Sequence, residues 1–206
     1  ARPPIVVLDP VMVATSGDRL LDADAEAAVR ALCRRADLVT PNLPELAVLV
    51  GRSVATSWDE AVAQAQTLAE RADTAVLLKG GHLDGEQSPD AIVVGTEVHP
   101  VPGRRVATRH THGTGCSLSS AMATLAAHGV PWPEALTRAK QWLTGALEHA
   151  DALRVGHGNG PIDHLHELRP HITLRPGASN APLDAAASWS IERWDAVAPV
   201  RAEGDA

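Results

Sequence analysis

The sequence contains no phenylalanine and no tyrosine, and five tryptophans are the only aromatic residues in 206. An aromatic-rich core is thereby excluded, so aliphatic side chains and alanine must fill the interior. Cysteine is nearly as scarce. Cys33 and Cys116 lie far apart with no paired spacing, which supports neither a disulfide framework nor a zinc knuckle. No apolar run approaches the length needed to span a bilayer, and "ARPPIVVLDP" at the N-terminus holds only a short apolar segment before Asp9. Lysine and arginine form no block, and a formal net charge of −7 opposes a nucleic-acid surface, which needs clustered cations. The chain reads as cytosolic and globular, without membrane or nucleic-acid partners, and long enough for one domain with a substantial core.

Within these limits, strand and helix signals alternate. Ile5 to Leu8 has the length and β-branching of a strand buried on both faces, and Asp9–Pro10 ends it. An alanine-rich helix is expected from Asp22 to about Arg35, then a short strand in "ADLVTPN" stopped by Pro41. Leu43 to Val50 reads as a short helix ended by Gly51. Ser57 and Glu60 read as a capping box that opens a helix through Ala72. "TAVLLKGG" is the clearest buried strand, and "DAIVVGTEVHPV" a hairpin-like pair of strands turning at Gly95–Thr96. Further helices are expected from Thr114 to Ala127 and from Pro133 to about Leu153. Such alternation predicts an α/β fold, a mostly parallel central sheet with helices on both faces. After Leu168 the texture turns to Pro, Gly, Ser and Asn. Residues 1–168 are therefore expected to form the domain, and 169–206 a linker and tail or the stub of a further module.

Ligands of such sheets gather at the carboxyl ends of the strands. That rule singles out Asp9 after the first strand, Asn42 and Glu45 after the second, and Lys79 at the end of the third. Taken singly, Asp9 reads as readily as a helix cap, Glu45 as a solvated carboxylate and Lys79 as a solvent-seeking cation. Together they form an edge suited to an anion and a hard divalent cation. In "HGTGC", Gly113, Thr114 and Gly115 lead into a helix whose first N–H groups lack intrahelical partners, a place for a phosphate or oxyanion. Cys116 falls in that first turn, where the helix field favours a thiolate; a buried inert thiol is the other reading. Ten histidines raise the question of zinc, yet His110 with His112 and His164 with His166 lack the helical spacing and nearby glutamate of a catalytic zinc site. The loop "VGHGNGPIDH", Val155 to His164, is glycine-rich but has no phosphate-loop lysine.

Five stretches, "VVLDPVMVATSGDRLL", "LVTPNLPEL", "VLLKGGHLDGEQSPD", "THGTGCSLSSAMA" and "VGHGNGPIDHLHEL", occur in one order across Val6 to Leu168. In that order they resemble the hydroxymethylpyrimidine and phosphomethylpyrimidine kinases of thiamine biosynthesis, within the ribokinase-like superfamily. The resemblance implies a ribokinase-like fold and ATP-dependent phosphorylation of 4-amino-5-hydroxymethyl-2-methylpyrimidine and then of its monophosphate, with Mg2+ accompanying ATP. It implies an anion hole at Gly113, Thr114, Gly115 and Cys116, with Cys116 where most ribokinase-like enzymes place a catalytic aspartate. Asn42 and Glu45 match an Asn-x-x-Glu element that supports Mg2+ and phosphate through water. Asp9 matches an acidic position near the same phosphates, Lys79 a phosphate-facing lysine and Val11 a wall of the pyrimidine pocket. The expected partners are ATP and a small pyrimidine, with a homodimer left open. Pyridoxal kinases carry a similar cysteine turn, so a related pyridoxal kinase is the near alternative. Members of the family begin with a further strand, a glycine-rich loop and helices that supply much of the substrate pocket. Nothing of this kind precedes Ala1, so the N-terminal part of the fold is expected to be missing from this chain. A catalytically impaired, nucleotide-binding remnant is the second alternative. A redox role for Cys116 is the third, and it lacks a nearby resolving cysteine.

Overall fold

A strand points alternate side chains to opposite faces, so a sheet covered by helices on both sides must be apolar at every position of its central strands. The computed structural model, which describes residues 5–12, 20–81, 83, 85–153 and 157–168, builds the chain on this pattern. The described residues lie within one compact unit, Ala1–Arg169. The expected linker and tail fall outside them.

Five strands form one sheet: β1 (Val7–Leu8), β2 (Leu38–Val39), β3 (Ala75–Lys79), β4 (Asp90–Val94) and β5 (Glu97–Val101), in that spatial order. β1, β2 and β3 pair in parallel, while β4 runs antiparallel to both β3 and β5. Four of the five strands therefore point one way. The "DAIVV" and "EVHPV" segments, expected as a hairpin excursion, extend the main sheet instead, because β4 pairs along β3 from Val76–Val93 to Lys79–Asp90. β1 departs from its expected burial on both faces. It is half-buried at the sheet edge and, among the described residues, pairs with β2.

The alternation sorts the core into two layers. Leu38, Leu77 and Ile92 face α4 (Thr114–Ala127) and α5 (Trp132–Glu148), where Leu118, Met122 and Leu136 meet them. Their neighbours Val39, Val76, Leu78 and Val93 face the other way, toward Leu46 of α2 (Leu43–Val50), Leu68 of α3 (Trp58–Ala72) and Cys33 at the end of α1 (Ala23–Cys33). Buried alanines take the place of aromatics, among them Ala61, Ala65, Ala135 and Ala139. Cys33 belongs to this interior, and burial pushes its thiol pKa up.

Two helix ends differ from expectation for visible reasons. At α3, the Ser57 Oγ accepts the Glu60 N–H at 3.2 Å, but the Glu60 carboxylate reaches past the cap to the N–H and hydroxyl of Thr56. The capping box is thus half-formed, and those two bonds hold the Glu60 carboxyl below its ordinary pKa. α5 stops at Glu148 rather than near Leu153 and tightens into a 3-10 turn over Ala150–Ala152. The Ala146 carbonyl, which the next helical turn would need, accepts the N–H of Asp163 at 3.0 Å instead.

Candidate functional site

Three parallel strands ending at one edge carry their terminal residues to one place. Lys79 closes β3 with its Nζ 3.0 Å from Asp9 Oδ1 beyond β1 and 3.9 Å from Glu45 Oε2 in the first turn of α2. The Asp9 and Lys79 side chains are only 16% and 15% exposed, so neither is a solvated surface charge. Glu45 is held by a complete capping box: its carboxylate accepts the Asn42 N–H at 2.8 Å, and Asn42 Oδ1 accepts the Glu45 N–H at 2.9 Å. Asn42 therefore aims Glu45, and a bridge to Lys79 ties it to β3. Sequence reading overlooked Thr40, which is fully buried at the end of β2. Its hydroxyl lies 3.1 Å from Asp9 Oδ1 and 2.8 Å from Ser119 Oγ, joining the carboxylate to α4. The signal was its position, a hydroxyl at the ligand edge just before Pro41.

Two carboxylates face one ammonium here, which leaves surplus negative charge. Asp9 and Glu45 are the side chains at this edge that could hold a hard divalent cation. Burial pushes the Glu45 pKa up and nearby Asp9 adds to this, while Lys79 and the Asn42 N–H oppose it. Folded Glu45 holds its proton more tightly than the unfolded chain does. Its contribution to stability is therefore present below the ordinary glutamate range and lost as pH rises through the raised one. Glu45→Gln is expected to remove this dependence, so that the variant gains on the parent in urea midpoints from about pH 4 to about pH 7. Parallel pH slopes for the two proteins would assign the titration to another group.

Opposite this edge stands the N-terminus of α4. Gly113 caps it at φ 88°, a left-handed conformation that favours glycine, and the Ser117 N–H makes the first helical bond to the Gly113 carbonyl at 2.9 Å. Thr114 is occupied locally: its N–H and hydroxyl both turn back to the Thr111 carbonyl. The Gly115 and Cys116 amides, in the first turn, have no intrahelical acceptor. A Cβ built on Gly115 would lie 3.5 Å from Lys79 Nζ and 3.7 Å from Asp9 Oδ2, so this glycine brings bare backbone up to the charged edge. Cys116 is exposed and lines a cavity of about 640 Å³ between α4 and α5, with Ser117, Trp142 and His164 among its walls. Val11 is 51% exposed on the loop after β1. The structure thus unites Asp9, Asn42, Glu45, Lys79 and Gly115, and sets Cys116 in the adjoining turn of α4.

Supporting residues that carried no sequence signal lie behind the edge. Asp90 Oδ1 accepts the Gly80 N–H at 2.9 Å, and Lys140 of α5 pairs with Asp90 and donates to the Ser88 carbonyl. This buried pair fixes the chain just past Lys79. A Cβ on Gly80 would sit 2.1 Å from the Pro89 carbonyl oxygen, a backbone atom. Gly80→Ala is expected to cost about 1–3 kcal/mol in urea unfolding through this overpacking. A midpoint equal to the parent's would mean that the loop absorbs the methyl group. Two of the paired histidines bond elsewhere in the chain: His110 Nδ1 accepts the Gly160 N–H, and His164 Nε2 meets Ser117 Oγ. His166 stacks on His149 at a centroid distance of 5.5 Å.

A sheet whose parallel strand ends confront a glycine-led helix is the architecture of the ribokinase-like kinases. Solved structures agree. Pyridoxal kinase from Staphylococcus aureus in complex with ADP superimposes with a TM-score of 0.73 at 28% identity, over 81% of this chain and 60% of that one. Phosphomethylpyrimidine kinase from Clostridium difficile gives 0.60 at 31% identity, over 70% and 58%. Within this class, the phosphomethylpyrimidine kinase family matches residues 1–163, and the chain belongs to that family. It is 46% identical to the hydroxymethylpyrimidine/phosphomethylpyrimidine kinase of Escherichia coli over 78% of its own length and 61% of that protein. It is also 54% identical to the thiamine biosynthesis multifunctional protein ThiED of Corynebacterium glutamicum, over 80% of this chain and 22% of that protein. The chain therefore spans less than two thirds of the length of these relatives.

Proposed function

We propose that this chain carries the phosphoryl-transfer half of an ATP-dependent kinase that phosphorylates 4-amino-5-hydroxymethyl-2-methylpyrimidine and then its monophosphate, as in thiamine diphosphate synthesis. The observation that carries the reading is the confrontation of Gly115 with the Lys79–Asp9–Glu45 edge, in a chain of the phosphomethylpyrimidine kinase family. Phosphoryl transfer needs little covalent help from a protein; it needs positioning and neutralisation of charge on the transferring group. Lys79 and the free amides of Gly115 and Cys116 supply fixed positive ends for phosphate oxygens. Asp9 and Glu45 would hold Mg2+, whose chemistry is to neutralise phosphate charge. Cys116, exposed beside those amides, removes the proton of the substrate hydroxyl.

Pyridoxal kinase is the second reading, and the structural likeness to the Staphylococcus aureus enzyme favours it. Sequence identity weighs the other way, 46–54% to the thiamine-pathway proteins against 28% to that kinase. A coupled assay of ATP consumption with the pyrimidine and with pyridoxal as acceptors decides between them. Turnover with the pyrimidine is expected. Turnover with pyridoxal alone would transfer the assignment, and ATP binding without turnover would support a nucleotide-binding remnant.

A further inference from the structure

The α4 turn that presents Gly115 and Cys116 is largely exposed or half-buried from Thr111 to Ser117, so packing alone does not hold its shape. Something else must. The segment Gly160 to His164, from the glycine-rich loop that has no phosphate-loop lysine, is stitched along it. The His112 N–H donates to the Gly160 carbonyl at 3.2 Å, the Ile162 N–H to the His112 carbonyl at 3.3 Å, and the Gly160 N–H to His110 Nδ1 at 2.7 Å. The last bond of the series joins His164 Nε2 to Ser117 Oγ at 2.7 Å, inside the first turn of α4. The segment is anchored in turn. Ile162 is buried against α4 and α5, and the Asp163 N–H holds the Ala146 carbonyl of α5. His164 is exposed, but it follows these anchored residues directly, with its Cε1 3.8 Å from where a Cβ on Gly113 would lie.

The geometry points to His164 as a positioning residue for the anion turn: through Ser117 it fixes the rotation of the first α4 turn, and with it the aim of the Gly115 and Cys116 amides and of the Cys116 thiol. Ser117 follows Cys116 directly, so a small rotation at one moves the other. Misplacement of reacting groups by even about 1 Å can cost as much as 100-fold in rate, whereas one lost exposed hydrogen bond changes stability little. The effect should therefore appear in kcat far more than in folding or in KM for ATP.

This inference rests on the kinase reading, so the experiment carries a readout that needs no turnover. Cys33 is buried and Cys116 exposed, which makes the rate of alkylation by iodoacetamide a report on Cys116. His164→Ala and Ser117→Ala are each expected to shift that rate several-fold, because the orientation and access of the thiol follow the turn, and to lower kcat about tenfold with KM for ATP within about twofold. The double variant should be no worse than either single one, because both remove the same bond. His164→Gln, whose amide reaches the position of Nε2, should restore both rates, whereas His164→Asn should not. Thermal unfolding of each variant checks that the fold is kept. Equal rates for His164→Ala and the parent would overturn the proposal, as would additive losses or a glutamine variant no better than alanine. If the parent alkylates in a His164-dependent way yet turns over no acceptor, the positioning role stands and the kinase reading falls.

Discussion

Cys116→Ala is expected to lower phosphoryl transfer by about 10²–10⁴-fold, the usual worth of a positioned general base, while ATP affinity stays within about twofold. The asymmetry follows from where the residue stands. Its backbone amide belongs to the helix N-terminus and survives the substitution, so the groups proposed to bind the anion remain. Only the thiol is lost. The α4 helix should not suffer, because Cys116 is exposed and alanine is a better helix former. Steady-state assays with isothermal titration of ATP separate the two effects. Retained turnover in the alanine variant would remove Cys116 from the chemistry, and lost ATP binding would reassign it to the anion hole alone.

Removing Lys79 should act on the fold as well as on the ligand. Its ammonium is the cation facing both Asp9 and Glu45, and all three side chains are largely buried. Lys79→Ala leaves two carboxylates without that partner, at a cost of about 3 kcal/mol near neutral pH. The ammonium is the main electrostatic influence holding the Glu45 pKa down, so its loss lets burial and Asp9 raise that pKa further. Glu45 then takes up a proton as pH falls, and the penalty should shrink from about pH 7 to about pH 5. Urea unfolding at the two pH values tests the sign. A penalty that grows toward acid would mean that the carboxylates are stabilised by other partners. ATP affinity should fall at least about tenfold, since a charge-assisted contact is worth about 1.5–3 kcal/mol.

Much of the charged edge was legible because it follows from strand ends. Asp9, Asn42, Glu45 and Lys79 each lie just after, or at the close of, a short apolar run, and parallel pairing brings such positions together. Gly113 and Gly115 were legible as a turn, but their separate tasks were not. One supplies a positive φ and the other bare backbone near Lys79, and only the three-dimensional path distinguishes them. Asp90 and Lys140 were illegible for a simpler reason. They lie 50 residues apart, one on a strand and one on a helix, and nothing local marks a charge that will be buried in a pair. Thr40 and His164 are similar cases: a hydroxyl and an imidazole acquire meaning from partners 79 and 47 residues away.

The sequence by itself determined the α/β plan with helices on both faces of the sheet, since apolar strands of alternating face and capped amphipathic helices encode their own burial. It also carried the family, through five ordered stretches and a cysteine set in a glycine-led turn. Tertiary structure alone decided the half-burial of β1, the antiparallel placement of β4, the early end of α5 and the strap that holds the α4 turn. The first depends on the place of β1 at the sheet edge, and the other three on hydrogen-bond partners supplied from distant parts of the chain. At the end of α5, the Asp163 N–H took the Ala146 carbonyl that a further helical turn required, and local propensity carries no record of that competition.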